Sequence, residues 1–134
     1  MATTQPSRNL SVSINRDAGD VYNFVCVPEN FPRWASGLGK SLKQHNGEWI
    51  AETPDGTVQV RFTERNEFGV LDHWVSPEPG LQIYIPMCVI SNGSGCELIF
   101  TLFRLPAVSE EKFAADAAWI MRDLASLKNL LEAN

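Results

Sequence analysis

Basic side chains are scarce in this 134-residue chain: eleven Lys and Arg stand against sixteen Asp and Glu, a formal net charge of −5. No run of Lys or Arg interrupts that balance, which argues against a phosphate-tracking nucleic-acid surface. Cysteine and histidine are also few. Cys26, Cys88 and Cys96 are odd in number and show no CxxC spacing. With only His45 and His73 beside them, they compose no zinc site of recognisable spacing, so neither a metal nor a cofactor is expected. Long apolar runs are missing too. None approaches the roughly 20 residues that cross a bilayer, and the polar stretch Met1–Leu10 lacks the apolar segment of a signal peptide. Free thiols without an export signal give the cytoplasm as the expected compartment. No repeat, low-complexity tract or linker divides the chain, so a single domain is expected over residues 1–134, with 1–8 as a flexible tail.

What the chain has in excess is aromatic: four Trp, seven Phe and two Tyr. Hydrophobic residues make up 44% and charged residues 20%, an ordinary globular balance. A domain of this length buries roughly two-thirds of its unfolded surface and holds a core without staples.

The pattern along the chain sets the order of elements. Leu10, Val12 and Ile14 alternate with polar residues over Asn9–Asn15, the period of a half-buried strand. Asp17 offers an N-cap for a short helix over Ala18–Val25. Glu29–Ala35 reads as a second helical turn, interrupted by Pro32 and closed by Gly37 and Gly39. A meander follows. Asn46-Gly47 separates Ser41–His45 from Glu48–Glu52 as a hairpin, and Pro54-Asp55-Gly56 turns into Thr57–Thr63. Phe68–Val75 is the next strand, ended by Pro77-Glu78-Pro79-Gly80. Leu81–Ser91 and Cys96–Leu105 form the last pair across Asn92-Gly93-Ser94-Gly95, with Pro86 marking a bulge or an edge. Ser109 then caps a long helix of roughly six turns, with Phe113, Ala117, Ile120, Leu124, Leu127 and Leu131 as its apolar stripe.

Strand, two short helices, six strands and a long helix make an α+β chain. A curved seven-stranded antiparallel sheet must bury its apolar face, and the C-terminal helix is the one large apolar partner. A sheet gripping one helix, with two short helices closing an end, leaves a closed pocket between them for an apolar ligand.

The order of elements resembles the helix-grip fold of the START and birch-pollen-allergen-like (SRPBCC) superfamily. Pro28-Glu29-Asn30-Phe31-Pro32-Arg33-Trp34 is similar to the P-x-N-x-x-x-W segment of its bacterial polyketide cyclase/dehydrase-like branch. Val70–Val75, Asn92–Glu97 and Asp123–Glu132 resemble stretches of small bacterial members. The resemblance spans Asn9 to Glu132. It implies an apolar or amphipathic ligand, lipid or polyketide-like, between sheet and helix, and implies no shared reaction.

Among residues able to carry chemistry, His73 stands out. Leu71, His73 and Val75 share one face of their strand, while Val70, Asp72 and Trp74 share the other. With the first face inward, a neutral imidazole enters the cavity, where it can orient a carbonyl or take a proton. With the second inward, Asp72 becomes the polar anchor. Either way the two neighbours cannot form a dyad. Val60 and Phe62 share the apolar face of Thr57–Thr63. Cys96, Leu98, Phe100 and Leu102 are taken as the inward set of the last strand. Arg104 continues that parity, either at the cavity mouth to receive an anionic head group or in a salt bridge at the strand end. Ala117, Ile120 and Leu124 face the sheet from the helix. Trp34 plugs one end of the sheet or walls the ligand, and Tyr84 can offer its hydroxyl inward. Trp49 packs across its hairpin, Arg61 faces solvent, and Cys88 and Cys96 read as small apolar side chains. Trp119 flanks the cavity or serves a homodimer contact.

Three functions compete at this point. The first is binding of a hydrophobic or amphipathic small molecule. The second is a cyclase or dehydratase using His73, and the third is a protein-interaction module built on Trp119.

Overall fold

A computed structural model of the chain describes residues 2–36, 42–53 and 56–133. Gly37, Gly39, Ser41, Pro54 and Asp55, named above as turn and strand-end residues, lie outside them. The chain opens with β1 (Ser7–Ile14), two residues earlier than its alternation predicts. Ser7 and Arg8, expected in the tail, pair instead with Phe103 and Leu102. Helix α1 (Ala18–Val25) has the expected bounds, and the Asp17 carboxylate accepts from the Asp20 N–H. The second helical turn is a 3-10 helix over Pro28–Arg33 with Pro32 inside it. A 3-10 turn suits so short a piece, because proline removes one of the few hydrogen bonds an α-turn would have.

The meander runs through β2 (Leu42–His45), β3 (Glu48–Thr53), β4 (Gly56–Phe62), β5 (His73–Glu78), β6 (Leu81–Ile85), β7 (Met87–Asn92) and β8 (Gly95–Phe103). Every pairing is antiparallel. There are eight strands among the described residues, not seven, and they form two ladders, β2-β3-β4-β5-β6 and β1-β8-β7. The difference is Pro86. It has no N–H to give, so it divides the expected strand Leu81–Ser91. The first half pairs with β5 and the second with β8, so this kinked segment joins the ladders.

The expected strand Phe68–Val75 is shorter at its start, because residues 63–72 leave the ladder. Asn66 organises this stretch by accepting from the Phe68 and Val70 N–H groups and donating to the Val70 carbonyl. Its far end then stitches onto β7: the Leu71 N–H reaches the Met87 carbonyl at 2.8 Å, and the Val89 N–H reaches the Gly69 carbonyl at 3.0 Å. Downstream, Pro77 and Glu78 belong to β5, and Pro79-Gly80 is the turn.

Helix α2 (Glu110–Glu132) is capped by the Ser109 hydroxyl, which accepts from the Lys112 N–H. Its C-terminal half buries Leu124, Leu127 and Leu131 in one apolar cluster with Ile14, Val21, Val25 and Leu98. Polar contacts fix that end to the end of β1. Lys128 donates to the Ser13 carbonyl, the Asn15 N–H to Glu132, and Arg16 to the Leu131 carbonyl, all within 2.9 Å. The helix is thereby sealed onto the sheet at its C-terminal half, and the space lies at the other half.

Candidate functional site

Between the N-terminal half of α2 and the inner faces of β5, β6 and β8 lies a cavity of about 390 Å³. From the sheet, His73, Val75, Ile83, Ile85, Phe100 and Leu102 line it; the 3-10 segment adds Phe31, Trp34 and Ala35, and the helix adds Asp116, Trp119, Ile120 and Asp123. Trp119 and Tyr84, both among the lining, are 48% and 43% exposed, so the cavity opens to solvent on that side. The closed pocket expected from the order of elements is in fact a cleft with one open end.

Phe31 is the keystone of the closed end. Its ring packs on Trp34 at 5.1 Å, on Phe62 at 4.9 Å and on His73 at 5.4 Å between centroids. Aromatic pairs at these separations favour tilted or edge contacts, as seen here. The sequence assigned Phe31 only to a motif, although its place in an amphipathic turn beside Trp34 was a usable signal.

His73 lies with its face inward and is 4% exposed. Its Nδ1 meets the Leu71 carbonyl at 3.2 Å. A carbonyl can only accept, so the proton sits on Nδ1 and the lone pair on Nε2. Burial among the rings of Phe31, Phe62 and Phe100 removes water from the imidazole and lowers its pKa to about 4, against weaker opposing effects of the Leu71 carbonyl and Asp72. The ring is neutral at neutral pH.

Asp72 points the other way, as strand alternation requires. Its carboxylate accepts from the Tyr84 hydroxyl at 2.8 Å and the Met87 N–H at 2.9 Å. Tyr84 thus gives its hydroxyl hydrogen to Asp72, which raises its pKa. Its ring stacks on Trp74, over which Arg61 sits at 4.5 Å. Tyr84 also stands on the cavity lining.

Of the other residues expected around the ligand, Trp34, Val75, Phe100 and Ile120 stand on the wall with His73. Val60, Leu71, Leu98, Ala117 and Leu124 are buried in packed core instead, each at most 6% exposed. Phe62 is held in ring contact with Phe31 and Trp49 behind the wall. The physical reason is depth. Alternation identifies the inward face of a strand, but the helix fills one end of that face and leaves the other open. Arg104 is also off the wall. The strand ends at Phe103, and the guanidinium donates to the Val108 carbonyl at 2.7 Å and meets Glu110 at 3.6 Å. It staples the entry to α2, the strand-end salt bridge that was the alternative for this residue.

At the open side, the Trp119 indole donates to the Ser36 hydroxyl at 2.7 Å, which donates to Asp123 at 2.6 Å. Burial raises the Asp123 pKa against the opposing Ser36 hydrogen bonds. Trp34 has its indole nitrogen sealed without a partner among the described residues. Cys96 is buried and Cys88 half-buried, and burial raises the pKa of both thiols, so neither is a poised nucleophile. Among the described residues no group of three or more His, Cys, Asp and Glu is placed to hold a metal, and no helix is long and apolar enough to cross a membrane.

No family model matches the chain, and no curated protein does. Solved structures match across nearly its whole length. DynU16, from the dynemicin biosynthetic locus, aligns over 94% of this chain at 15% identity with a TM-score of 0.70, and the chain spans 47% of that protein. A START superfamily protein from Mycobacterium smegmatis aligns over 95% of this chain and 97% of its own, at 14% identity and a TM-score of 0.66. Ara h 8.0201 aligns over 96% and 98%, at 12% identity and a TM-score of 0.66. At these identities the likeness is one of architecture, and that architecture is the helix-grip fold of the START and birch-pollen-allergen-like proteins.

Proposed function

We propose that the protein binds an apolar or amphipathic small molecule in the cleft between its sheet and the N-terminal half of α2. The observation that carries this reading is the cleft itself. A volume of about 390 Å³ walled by aromatic and aliphatic side chains, with few polar groups facing it, falls within the roughly 300–1,000 Å³ of small-molecule sites. The START-like neighbours support the same reading, and the resemblance of Pro28–Trp34 to the polyketide cyclase/dehydrase-like branch gives polyketide-like aromatics a place in the screen. The test is a thermal-shift and native mass-spectrometry screen of sterols, fatty acids and flat aromatics, run beside Val75→Phe. Binding by the parent chain and its loss in the folded variant support the reading. No binder from any of these classes would overturn it.

A cyclase or dehydratase reading is favoured by one observation, the burial of His73 on the cavity wall. An imidazole whose conjugate acid has a pKa of about 4 is a weak base at neutral pH, so binding remains the better supported reading. Turnover of a polyketide-like substrate that survives His73→Ala unchanged would remove the enzyme reading.

A further inference from the structure

We propose that the cleft selects an uncharged aromatic molecule carrying a hydrogen-bond donor, which His73 Nε2 accepts, and that it turns carboxylates away. This rests on the binding reading above and adds the chemical class of the ligand.

Three features of the lining carry it. The first is the tautomer: with Nδ1 committed to the Leu71 carbonyl, Nε2 offers only a lone pair. Among the described residues Nε2 makes no hydrogen bond, and the ring lines the cleft. A ligand that covers this atom without giving it a hydrogen leaves a buried acceptor unpaired, whereas a hydroxyl or N–H satisfies it.

The second is charge. Among the described residues no Lys or Arg lines the cleft, and the carboxyl side chains of Asp116 and Asp123 stand on its helix side. Two cations beside the helix lining are engaged: Lys112 bonds Asp116 at 2.6 Å, and the Arg122 guanidinium lies 5.5 Å from the Trp119 ring centroid. Arg104, which its strand parity suggested for an anionic head group, is bound to Val108 and Glu110. A carboxylate inside would lose water and meet a neutral imidazole and two acids, an uncompensated charge.

The third is the wall. Phe31, Trp34, Phe100 and Trp119 present aromatic surface to the volume beside the aliphatic Ile83 and Ile85, which suits a flat ring system.

The experiment titrates the full chain at pH 7 with three probes of one shape: 2-naphthol, 2-methoxynaphthalene and 2-naphthoate. The expected order has 2-naphthol roughly five- to tenfold tighter than 2-methoxynaphthalene, the worth of one net hydrogen bond. 2-Naphthoate is expected to bind at least tenfold more weakly than 2-naphthol. His73→Phe keeps a ring in the Phe31 cluster and should erase the naphthol advantage. Should that variant fail to fold, the imidazole ¹⁵N signals of the parent chain give a second readout: Nε2 shifts with 2-naphthol and not with 2-methoxynaphthalene. Equal affinity for all three probes overturns the selectivity and leaves ligand binding standing. Binding of 2-naphthoate as tight as that of 2-naphthol does the same. No binding by any probe, together with a blank wider screen, overturns the binding reading and this proposal with it.

Discussion

At the scale of single residues, His73 decides the most. Its folded pKa of about 4 lies below the 6.5 of a free imidazole. Between those values the unfolded chain holds a proton that the folded chain does not. The contribution of the neutral ring is thus fully present above pH 6.5 and is lost as the pH falls toward 4. At 1.36 kcal/mol per pKa unit the whole effect is on the order of 3 kcal/mol. Urea unfolding at several pH values between 4 and 7, compared with the same series on His73→Phe, isolates it. Glu97 and Glu132, whose pKa values hydrogen bonds lower, and Asp123, whose pKa burial raises, act in both proteins and cancel in the difference. A parent curve no steeper than that of the variant would mean that His73 is not buried as a neutral group. Asp72 shows the complementary lesson: one position along the strand, the same alternation turns a carboxylate outward to hold Tyr84 and the start of β7.

At the scale of elements, the joins matter more than the strands. Gly69 has a φ of 72°, and a Cβ built there would lie 2.4 Å from the Val89 carbonyl oxygen. Left-handed backbone costs a non-glycine residue roughly 1–2 kcal/mol before any clash. Gly69→Ala should therefore destabilise the fold by about 2 kcal/mol or more, read as a lower urea midpoint at constant slope. A loss within the ±0.5 kcal/mol of an ordinary surface change would rule out the close approach to β7. At the start of α2, Ser109→Ala removes the acceptor for the Lys112 N–H and should cost about 1 kcal/mol in the same assay, while Ser109→Asp should retain most of it. An unaltered midpoint in the alanine variant would show that the cap carries no stability.

At the scale of the molecule, one end of the helix–sheet interface is filled and the other is not. Leu124, Leu127 and Leu131 complete a core with β1, α1 and β8, while the turns nearer Asp116 and Trp119 face open volume. A ligand that enters this volume binds the folded chain alone, so it stabilises by mass action, by about 2.7 kcal/mol at a hundredfold excess over Kd. For a chain of this size that is a rise of several degrees in Tm. Calorimetry with a saturating probe should show it in the parent chain and not in Val75→Phe. An equal rise in both would place the ligand outside the cleft.

The amino-acid sequence by itself determined the order of elements, the capped bounds of α1, the capped start of α2 and the shared face of Leu71, His73 and Val75, while which way that face turns came from the structure. These are local properties, set by caps, turn residues and the periods of strand and helix. Only the tertiary structure decided where along those faces the helix packs and where it stands away. That is why Leu98 and Leu124, inward by every local rule, are core, while Ile83, Trp119 and Asp123 border the cleft. It also decided that Pro86 divides a strand between two ladders and that Arg104 turns to Val108 and Glu110. Contacts between segments far apart in the chain make those choices, and no local period encodes them.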